Sequence, residues 1–217
     1  MAWSWKRELP QLLILVAMFM ASALRWPTAP ERMPMHWNLG GEVDRYGSKL
    51  EGLLFLPLVA LLLYGLLLVL PRLDPHRANY DSFSGAYHGL RLVLLVFMGL
   101  FHGAMLGGGA PMPSMIGLLV GALLTAMGLL LPRFGQNWFA GIRTPWTLSS
   151  TLSWQKTHRL AGRLFVLAGL ILLVGSQLGD RWMWRLLAPA IAVAVVLPVA
   201  YSYWVWRGDP DRAGAGQ

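Results

Sequence analysis

Polar side chains that could bind a ligand or a metal ion concentrate in a short stretch near the N-terminus. Residues 33–49 contain an imidazole, a side-chain amide and two carboxylates among several glycines. Zinc accepts imidazole and carboxylate ligands, and glycines permit tight turns that would bring such groups to one side of a loop. The residues that could contact a ligand here are His36, Trp37, Asn38, Gly41, Glu42, Asp44 and Tyr46.

Three interpretations of this stretch stay open at the level of sequence. His36, Glu42 and Asp44 could bind a metal ion, but such groups in a water-facing loop are usually solvated or paired with cations such as Arg45 and Lys49. The aromatic side chains are typical of a partner-binding surface and equally of the lipid headgroup layer. We predict a partner-binding surface, with no metal site and no cofactor.

A second polar stretch, residues 132–163, combines a predicted helix start with basic and aromatic residues. Thr144 precedes a proline and is expected to be extended, and Ser149 or Ser150 could cap a helix that runs into the next apolar stretch. That helix would place Trp154, His158 and Ala161 on one side and Lys156, Arg159 and Arg163 on another. Such a segment either lies on the membrane surface or docks a cytoplasmic protein. The candidate residues, for partner binding or for structure, are Asn137, Gly141, Arg143, Thr144, Pro145, Trp146, Trp154, Lys156 and His158.

Apolar stretches separate these polar segments and identify the lipid bilayer as the solvent of the chain. Of the 217 residues, 56% are hydrophobic and 13% are charged, whereas a soluble domain has about 25% charged residues. About 20 apolar residues span the hydrocarbon core as a helix. The six stretches without Lys, Arg, Asp or Glu are Leu9–Leu24, Leu53–Leu70, Leu92–Ala110, Met112–Leu131, Leu164–Leu178 and Leu186–Trp206. We predict an all-α integral membrane protein with six transmembrane helices.

The distribution of basic residues predicts how these helices are oriented. With the N-terminus inside, twelve Lys and Arg residues lie on the cytoplasmic side and six on the opposite side. We therefore expect a multi-pass protein of the cytoplasmic membrane with both termini inside, residues 25–52 outside and residues 132–163 inside. A turn rich in glycine and proline separates two halves of three helices, 1–110 and 111–217, which could be inverted copies of one another.

Composition also limits the chemistry. The chain has no cysteine, which excludes disulfides, thiolate metal sites and a cysteine nucleophile. Its net charge of +8 is explained by cytoplasmic loops and anionic lipid rather than by binding to nucleic acid.

Polar residues also occur within the third apolar stretch and in the connection before it. His102 lies within the third stretch, where a polar group is either functional or bonded to a neighbouring helix backbone; we favour the second. We expect the loop that holds Asp74, His76, Asp81 and His88 to be solvated.

Small residues at every fourth position let helices approach closely, so certain glycines either hold the bundle together or pair two bundles as a homo-oligomer. These glycines are Gly99, Gly103, Gly107, Gly117 and Gly121.

The two polar stretches resemble the hallmarks of a known family, the SdpI-like bacterial membrane immunity and signalling proteins. The first is similar to the family's N-terminal domain of unknown function through Pro34, His36, Trp37, Asn38, Gly41, Asp44, Tyr46, Gly47, Ser48 and Lys49. The second is similar to its C-terminal hallmark through Asn137, Gly141, Ile142, Arg143, Thr144, Pro145, Trp146, Thr147, Leu148, Ser150, Trp154, Lys156, Thr157, His158 and Gly162. The resemblance covers most of the chain.

This resemblance implies a function in the cytoplasmic membrane. It implies immunity to a secreted toxic peptide and, from the named member, a receptor that holds a transcriptional repressor at the membrane once toxin is bound outside. Two other hypotheses are an intramembrane metal-dependent enzyme, with His36 and Glu42 or Asp44 as acid and base, and a small transporter with broken helices. We favour a non-enzymatic immunity protein whose partners are membrane lipid, a peptide and a cytoplasmic regulator.

Overall fold

The computed structural model describes residues 5–38, 42–107 and 112–212, and within them it contains seven α-helices and one two-stranded sheet. The helices are α1 (Trp5–Arg25), α2 (Lys49–Leu73), α3 (Ser84–Gly107), α4 (Met112–Leu130), α5 (Pro145–Leu148), α6 (Thr151–Gly175) and α7 (Asp180–Arg207). The strands are β1 (Arg32–Trp37) and β2 (Val43–Ser48). Short 3₁₀ turns occupy Trp26–Thr28, Arg77–Asp81 and Leu131–Arg133.

Six of the helices in the described part of the chain are long and apolar enough to cross a membrane. They are α1, α2, α3, α4, α6 and α7, one for each apolar stretch of the sequence. Their outer faces carry large apolar side chains, among them Leu24, Leu62 and Val174, which are highly exposed. Lipid tails would cover these side chains in a membrane. The prediction of an all-α integral membrane protein with six transmembrane helices is confirmed.

One end of the bundle is closed by the hairpin, defined here as β1, β2 and their connection (residues 32–48). The strands are antiparallel, with Met33 opposite Gly47 and Trp37 opposite Val43. Met33 shares a buried cluster with Leu53 near the start of α2, and Leu106 at the end of α3 packs against this cluster. The sequence predicted a loop here, but these contacts fix one face of the segment and favour paired strands. We call this end of the bundle the hairpin end.

The other end, called here the loop end, is closed by loop 134–150 and by the chain between α2 and α3. Tyr80, Phe134 and Trp154 share one buried aromatic and aliphatic cluster. Asn79 Nδ2 also donates a hydrogen bond to the carbonyl oxygen of Gln136 (2.8 Å). The two polar stretches that the sequence singled out therefore lie at opposite ends of the helix bundle.

Helices α4 and α6 approach each other backbone to backbone. A Cβ atom added to Gly128 would lie 2.6 Å from the carbonyl oxygen of Gly162, and one added to Gly121 would lie 2.9 Å from that of Gly169. Carbon and oxygen atoms do not approach this closely, so only glycine fits at these positions. Close helix packing through small residues, predicted for Gly121, is confirmed.

The glycines of α3 behave differently from those of α4. A Cβ atom on Gly99 would lie 3.2 Å from the Ile14 side chain, closer than most such contacts, so the Ile14 side chain would have to shift slightly. At Gly103 and Gly107, no atom of the described residues lies within 4 Å of such a Cβ. These two glycines find no packing partner among the described residues of this bundle, and the other predicted role, pairing of two bundles, stays a prediction.

Candidate functional site

The hairpin brings four of the predicted ligand-binding residues together in two pairs. His36 Nδ1 lies 2.6 Å from Asp44 Oδ1, across the two strands. Asn38 Oδ1 accepts a hydrogen bond from the Glu42 backbone N–H (3.0 Å), and Asn38 Nδ2 donates to Glu42 Oε2 (3.1 Å). Gly41, also a predicted contact residue, lies outside the described residues. These pairs form a compact polar surface at the far end of the hairpin.

Arg45 in the hairpin and Lys49 directly after it pair with glutamates outside the hairpin. Arg45 forms an ion pair with Glu51, and Lys49 Nζ lies 3.4 Å from Glu31 Oε1. From the sequence, the hairpin carboxylates were expected to be either solvated or paired with cations such as Arg45 and Lys49; in the structure Asp44 pairs with His36 and Glu42 with Asn38. The strand pairing places His36 closer to Asp44 than either cation.

Two aromatic residues complete the hairpin surface. Tyr46 is half exposed, with the guanidinium of Arg32 5.5 Å from the centre of its ring, and Trp37 is partly buried. In the described residues, no group of three or more histidine, aspartate or glutamate side chains is arranged to hold a metal ion. The chemistry available at the hairpin is recognition through both signs of charge and through exposed aromatic rings.

At the loop end, Asn137 organises the first turn of loop 134–150. Its side chain is fully buried. Nδ2 donates to the carbonyl oxygens of Gly135 (2.9 Å) and Ala140 (3.0 Å), while Oδ1 accepts from the backbone N–H groups of Phe139 (2.9 Å) and Ala140 (2.6 Å). A buried amide with all its partners present is a structural element of the loop.

His158 joins the loop to α6. Its Nδ1 lies 2.8 Å from the Trp154 carbonyl oxygen, and its Nε2 accepts a hydrogen bond from the Ile142 backbone N–H (3.1 Å). These partners require a neutral imidazole with its proton on Nδ1. The ring also stacks on Trp154, with a centroid distance of 4.0 Å. Gly141 has a φ of 107°, and a Cβ atom there would overlap Nε2 of His158.

A capping box starts the short helix α5. Thr144 is extended (φ −105°, ψ 161°), as predicted from the proline that follows. Its Oγ1 accepts from the Thr147 N–H (3.1 Å), and its own N–H donates to Thr147 Oγ1 (2.9 Å). The Thr144 hydroxyl also lies 3.0 Å from Ser202 Oγ on α7. The threonines therefore connect the loop to the last transmembrane helix.

Ser150 caps α6, so the helix start predicted from the sequence is confirmed. Its Oγ accepts a hydrogen bond from the Ser153 N–H (2.8 Å) and donates one to the buried carboxylate of Asp209. The predicted helix faces are also confirmed, because Trp154, His158 and Ala161 are buried while Lys156, Arg159 and Arg163 are exposed.

The nine candidate residues of this segment thus divide into a scaffold and a surface. Asn137, Thr144, Trp154 and His158 are buried in hydrogen-bond networks, and Gly141 permits the approach of His158. The others are accessible or partly accessible: Arg143, Pro145 and Lys156 are exposed, and Trp146 packs edge-on against Tyr203 at 5.2 Å. The direct contacts of a partner at the loop end would therefore fall on these four.

Asp74 is a structural residue that the sequence argument missed. It is 2% exposed and accepts hydrogen bonds from the Tyr80 hydroxyl (2.8 Å), the Trp138 N–H (2.9 Å) and the His76 N–H (2.7 Å). Burial, together with the Asp74 carboxylate, raises the pKa of Tyr80 above its ordinary value. The prediction of a solvated loop is wrong for Asp74, because loop 134–150 folds over it.

A buried ion pair between α1 and α3 was also missed. Glu8 and Arg91 are 2% and 3% exposed, and their side chains meet in two hydrogen bonds of 3.0 and 2.5 Å. The Tyr64 hydroxyl donates to the same carboxylate (2.9 Å), and His88 Nε2 lies 3.7 Å from it. The available signal was that both charges lie next to apolar stretches, where a buried charge requires a partner.

His102 lies within α3 and is 1% exposed. Its Nε2 is 3.0 Å from Ser22 Oγ on α1, and that hydroxyl donates to the Leu53 carbonyl oxygen on α2 (2.6 Å). The bond from His102 to a neighbouring helix backbone that we favoured is present, to the Met18 backbone of α1, and the Ser22 hydroxyl is an additional side-chain partner. His102 thus links three helices close to the hairpin end.

Comparisons with known proteins agree with the motifs. Residues 133–202 match the SdpI/YfhL protein family, and residues 13–61 match a domain of unknown function (DUF1648). The chain is 24% identical over 202 residues to Immunity protein SdpI of Bacillus subtilis (strain 168), which covers 93% of this chain and 97% of that protein. No solved structure matches the chain. The resemblance inferred from the two polar stretches is confirmed.

Proposed function

We propose, from the premise that this chain is an SdpI-like membrane protein, that it protects a bacterial cell against a secreted toxic peptide. The observation that carries this proposal is the match to an immunity protein over nearly the full length of both chains. The six membrane-spanning helices are consistent with it, since such a protein would act where a toxic peptide meets the membrane.

The proposed orientation places the hairpin outside the cell and loop 134–150 in the cytoplasm, with both termini inside. The excess of basic residues in the segments assigned to the cytoplasm supports this orientation. The hairpin would then be the surface that meets the peptide. Its paired His36 and Asp44, with Tyr46 beside Arg32, suit recognition better than catalysis.

A signal could pass between the two ends through α2, which contacts both. Near its start, Gly52 packs so closely on Met33 of the hairpin that a Cβ atom would lie 2.7 Å from the Met33 side chain. Immediately after its end, Asp74 accepts a hydrogen bond from the Trp138 N–H in loop 134–150. A peptide would transmit a signal only if it bound two arrangements of these elements with different affinity.

Survival of cells exposed to purified toxic peptide tests the proposal. We expect cells that make the wild-type chain to survive higher peptide concentrations than cells without it, and His36→Ala to remove most of the protection. The matched control is Glu31→Ala, which removes an exposed charge from the base of the hairpin and leaves the His36–Asp44 pair intact. Membrane levels of each variant are compared by immunoblot.

Equal survival with and without the protein would contradict the immunity function. Full protection by His36→Ala at wild-type membrane levels would be compatible with the immunity function. It would contradict the proposal that the hairpin is the surface that meets the peptide.

A further inference from the structure

A polar cavity of about 380 Å³ opens at the loop end, between α1, α2 and α3. Charged side chains and one histidine, from all three helices and from the turn after α2, line it: Glu8, Arg72, Arg77, His88 and Arg91. The cavity therefore contains three guanidinium groups and one carboxylate. Because Glu8 neutralises only Arg91, the positive charge of the other two arginines remains available.

The side chains of two arginines that line this cavity are unpaired within the described residues. Arg72 and Arg77 are exposed, and no hydrogen bond or ion pair of their side chains is found among the described residues. Deeper in, Arg91 is 3% exposed and its Nε has no hydrogen-bond partner in the described structure. Guanidinium groups arranged in this way suit a phosphate, whose oxygens accept several charged hydrogen bonds.

An apolar cavity of about 300 Å³ adjoins the polar one. Leu67 and Tyr87 line both cavities and form the wall between them, where the Tyr87 hydroxyl donates a hydrogen bond to the Leu67 carbonyl oxygen (2.7 Å). The apolar cavity continues between the helices along Leu94, Met127 and Phe165. A ligand that filled both would have to part this wall, and it would carry an anionic group at one end and a hydrocarbon chain at the other.

We propose that this pair of cavities is a binding site for an anionic phospholipid. The phosphate would lie between Arg72 and Arg77, facing Arg91, and an acyl chain would displace the Tyr87–Leu67 hydrogen bond and enter the apolar cavity. A basic cavity at the end of transmembrane helices lies at the depth of lipid headgroups. The site is separate from the hairpin, at the opposite end of the bundle.

Native mass spectrometry of the full chain in detergent tests this assignment. The probes are phosphatidylglycerol, phosphatidylcholine, glycerol 3-phosphate and inorganic phosphate. We expect the wild-type chain to retain one phosphatidylglycerol in preference to phosphatidylcholine. Arg72→Ala with Arg77→Ala is expected to weaken this binding by about tenfold or more, because two charged hydrogen bonds are lost.

The matched control removes two charges from the same end of the bundle but from outside the cavities. Lys156 and Arg207 are exposed and line neither cavity, so Lys156→Ala with Arg207→Ala is expected to bind phosphatidylglycerol as the wild type does. Equal weakening by both double variants would show nonspecific attraction and overturn the site.

Two other outcomes would also overturn the proposal. Unchanged binding of phosphatidylglycerol by the Arg72→Ala, Arg77→Ala variant would show that the phosphate does not bind in this cavity. Displacement of phosphatidylglycerol by equal concentrations of glycerol 3-phosphate or inorganic phosphate would show a site for free anions, without the acyl chain. The thermal unfolding of each variant, measured in the same detergent, confirms that it is folded.

Discussion

At the scale of single residues, Gly141 determines how closely loop 134–150 approaches α6. Its positive φ and its contact with His158 both require the absence of a side chain. We expect Gly141→Ala to lower the free energy of unfolding by about 2 to 4 kcal/mol, since it adds an atomic overlap to backbone strain. Thermal unfolding and limited proteolysis of the loop would measure the effect.

Gly179 provides the matched control for this substitution. It has a similar φ of 98°, but no atom of the described residues lies within 4 Å of a Cβ placed there. Gly179→Ala therefore carries backbone strain without the overlap, about 1 to 3 kcal/mol, because its φ of 98° and ψ of 163° lie in a region almost restricted to glycine. Equal losses in the two variants would contradict the proposed contact between Gly141 and His158.

Residue roles that depend on sequence neighbours were predictable. The cap at Ser150 and the extended Thr144 follow from local chain geometry, which the sequence specifies directly. The pairs His36–Asp44 and Glu8–Arg91 were not predicted. They depend on which strands and helices become neighbours, and side-chain type alone does not specify a partner 83 residues away.

At the scale of elements, the glycines of α4 and α6 set the distance between the two helices. A Cβ atom on Gly162 would lie 2.7 Å from the Gly128 carbonyl oxygen. We expect Gly162→Ala to push the helices apart and lower the free energy of unfolding by about 1 to 3 kcal/mol. Thermal unfolding in detergent measures the change.

Gly103→Ala is the control for helix packing, because the described residues leave open space around Gly103. Its stability is expected to equal or exceed that of the wild type by up to about 1 kcal/mol, as alanine favours a helix over the unfolded chain. If Gly162→Ala were as stable as this control, the backbone contact between α4 and α6 would be refuted.

The transmembrane helices were more predictable than the hairpin. Long uncharged stretches leave a backbone in lipid little alternative to a helix, since its polar groups must bond internally. Strands β1 and β2 have six residues each and contain Pro34 and Gly47, which are weak strand formers. Their pairing depends on the contact of Met33 with α2, which the sequence does not reveal.

At the scale of the whole molecule, the orientation in the membrane has a direct test. The chain contains no cysteine, so a single introduced thiol gives an unambiguous signal. With Glu42→Cys and Lys156→Cys as separate variants, we expect a membrane-impermeant maleimide to label only the first in intact cells. The second is expected to react only after permeabilisation, because loop 134–150 and the first turns of α6, where residue 156 lies, would face the cytoplasm.

Each variant serves as the control for the other, since both positions are exposed in the structure. Labelling of both in intact cells would place the hairpin and the loop end in one compartment and refute the proposed orientation. The inverted relation of residues 1–110 to 111–217 stays a prediction that this experiment does not address.

The sequence by itself determined that lipid surrounds this protein, that six helices span the membrane, where helix caps occur and which family its two polar stretches resemble. Those properties depend on composition and on neighbours within a few residues. The tertiary structure decided which side chains meet: the hairpin pairs, the buried Asp74 and Glu8, and the two adjoining cavities at the loop end. These depend on contacts between distant segments, whose geometry is fixed only when the helices pack together.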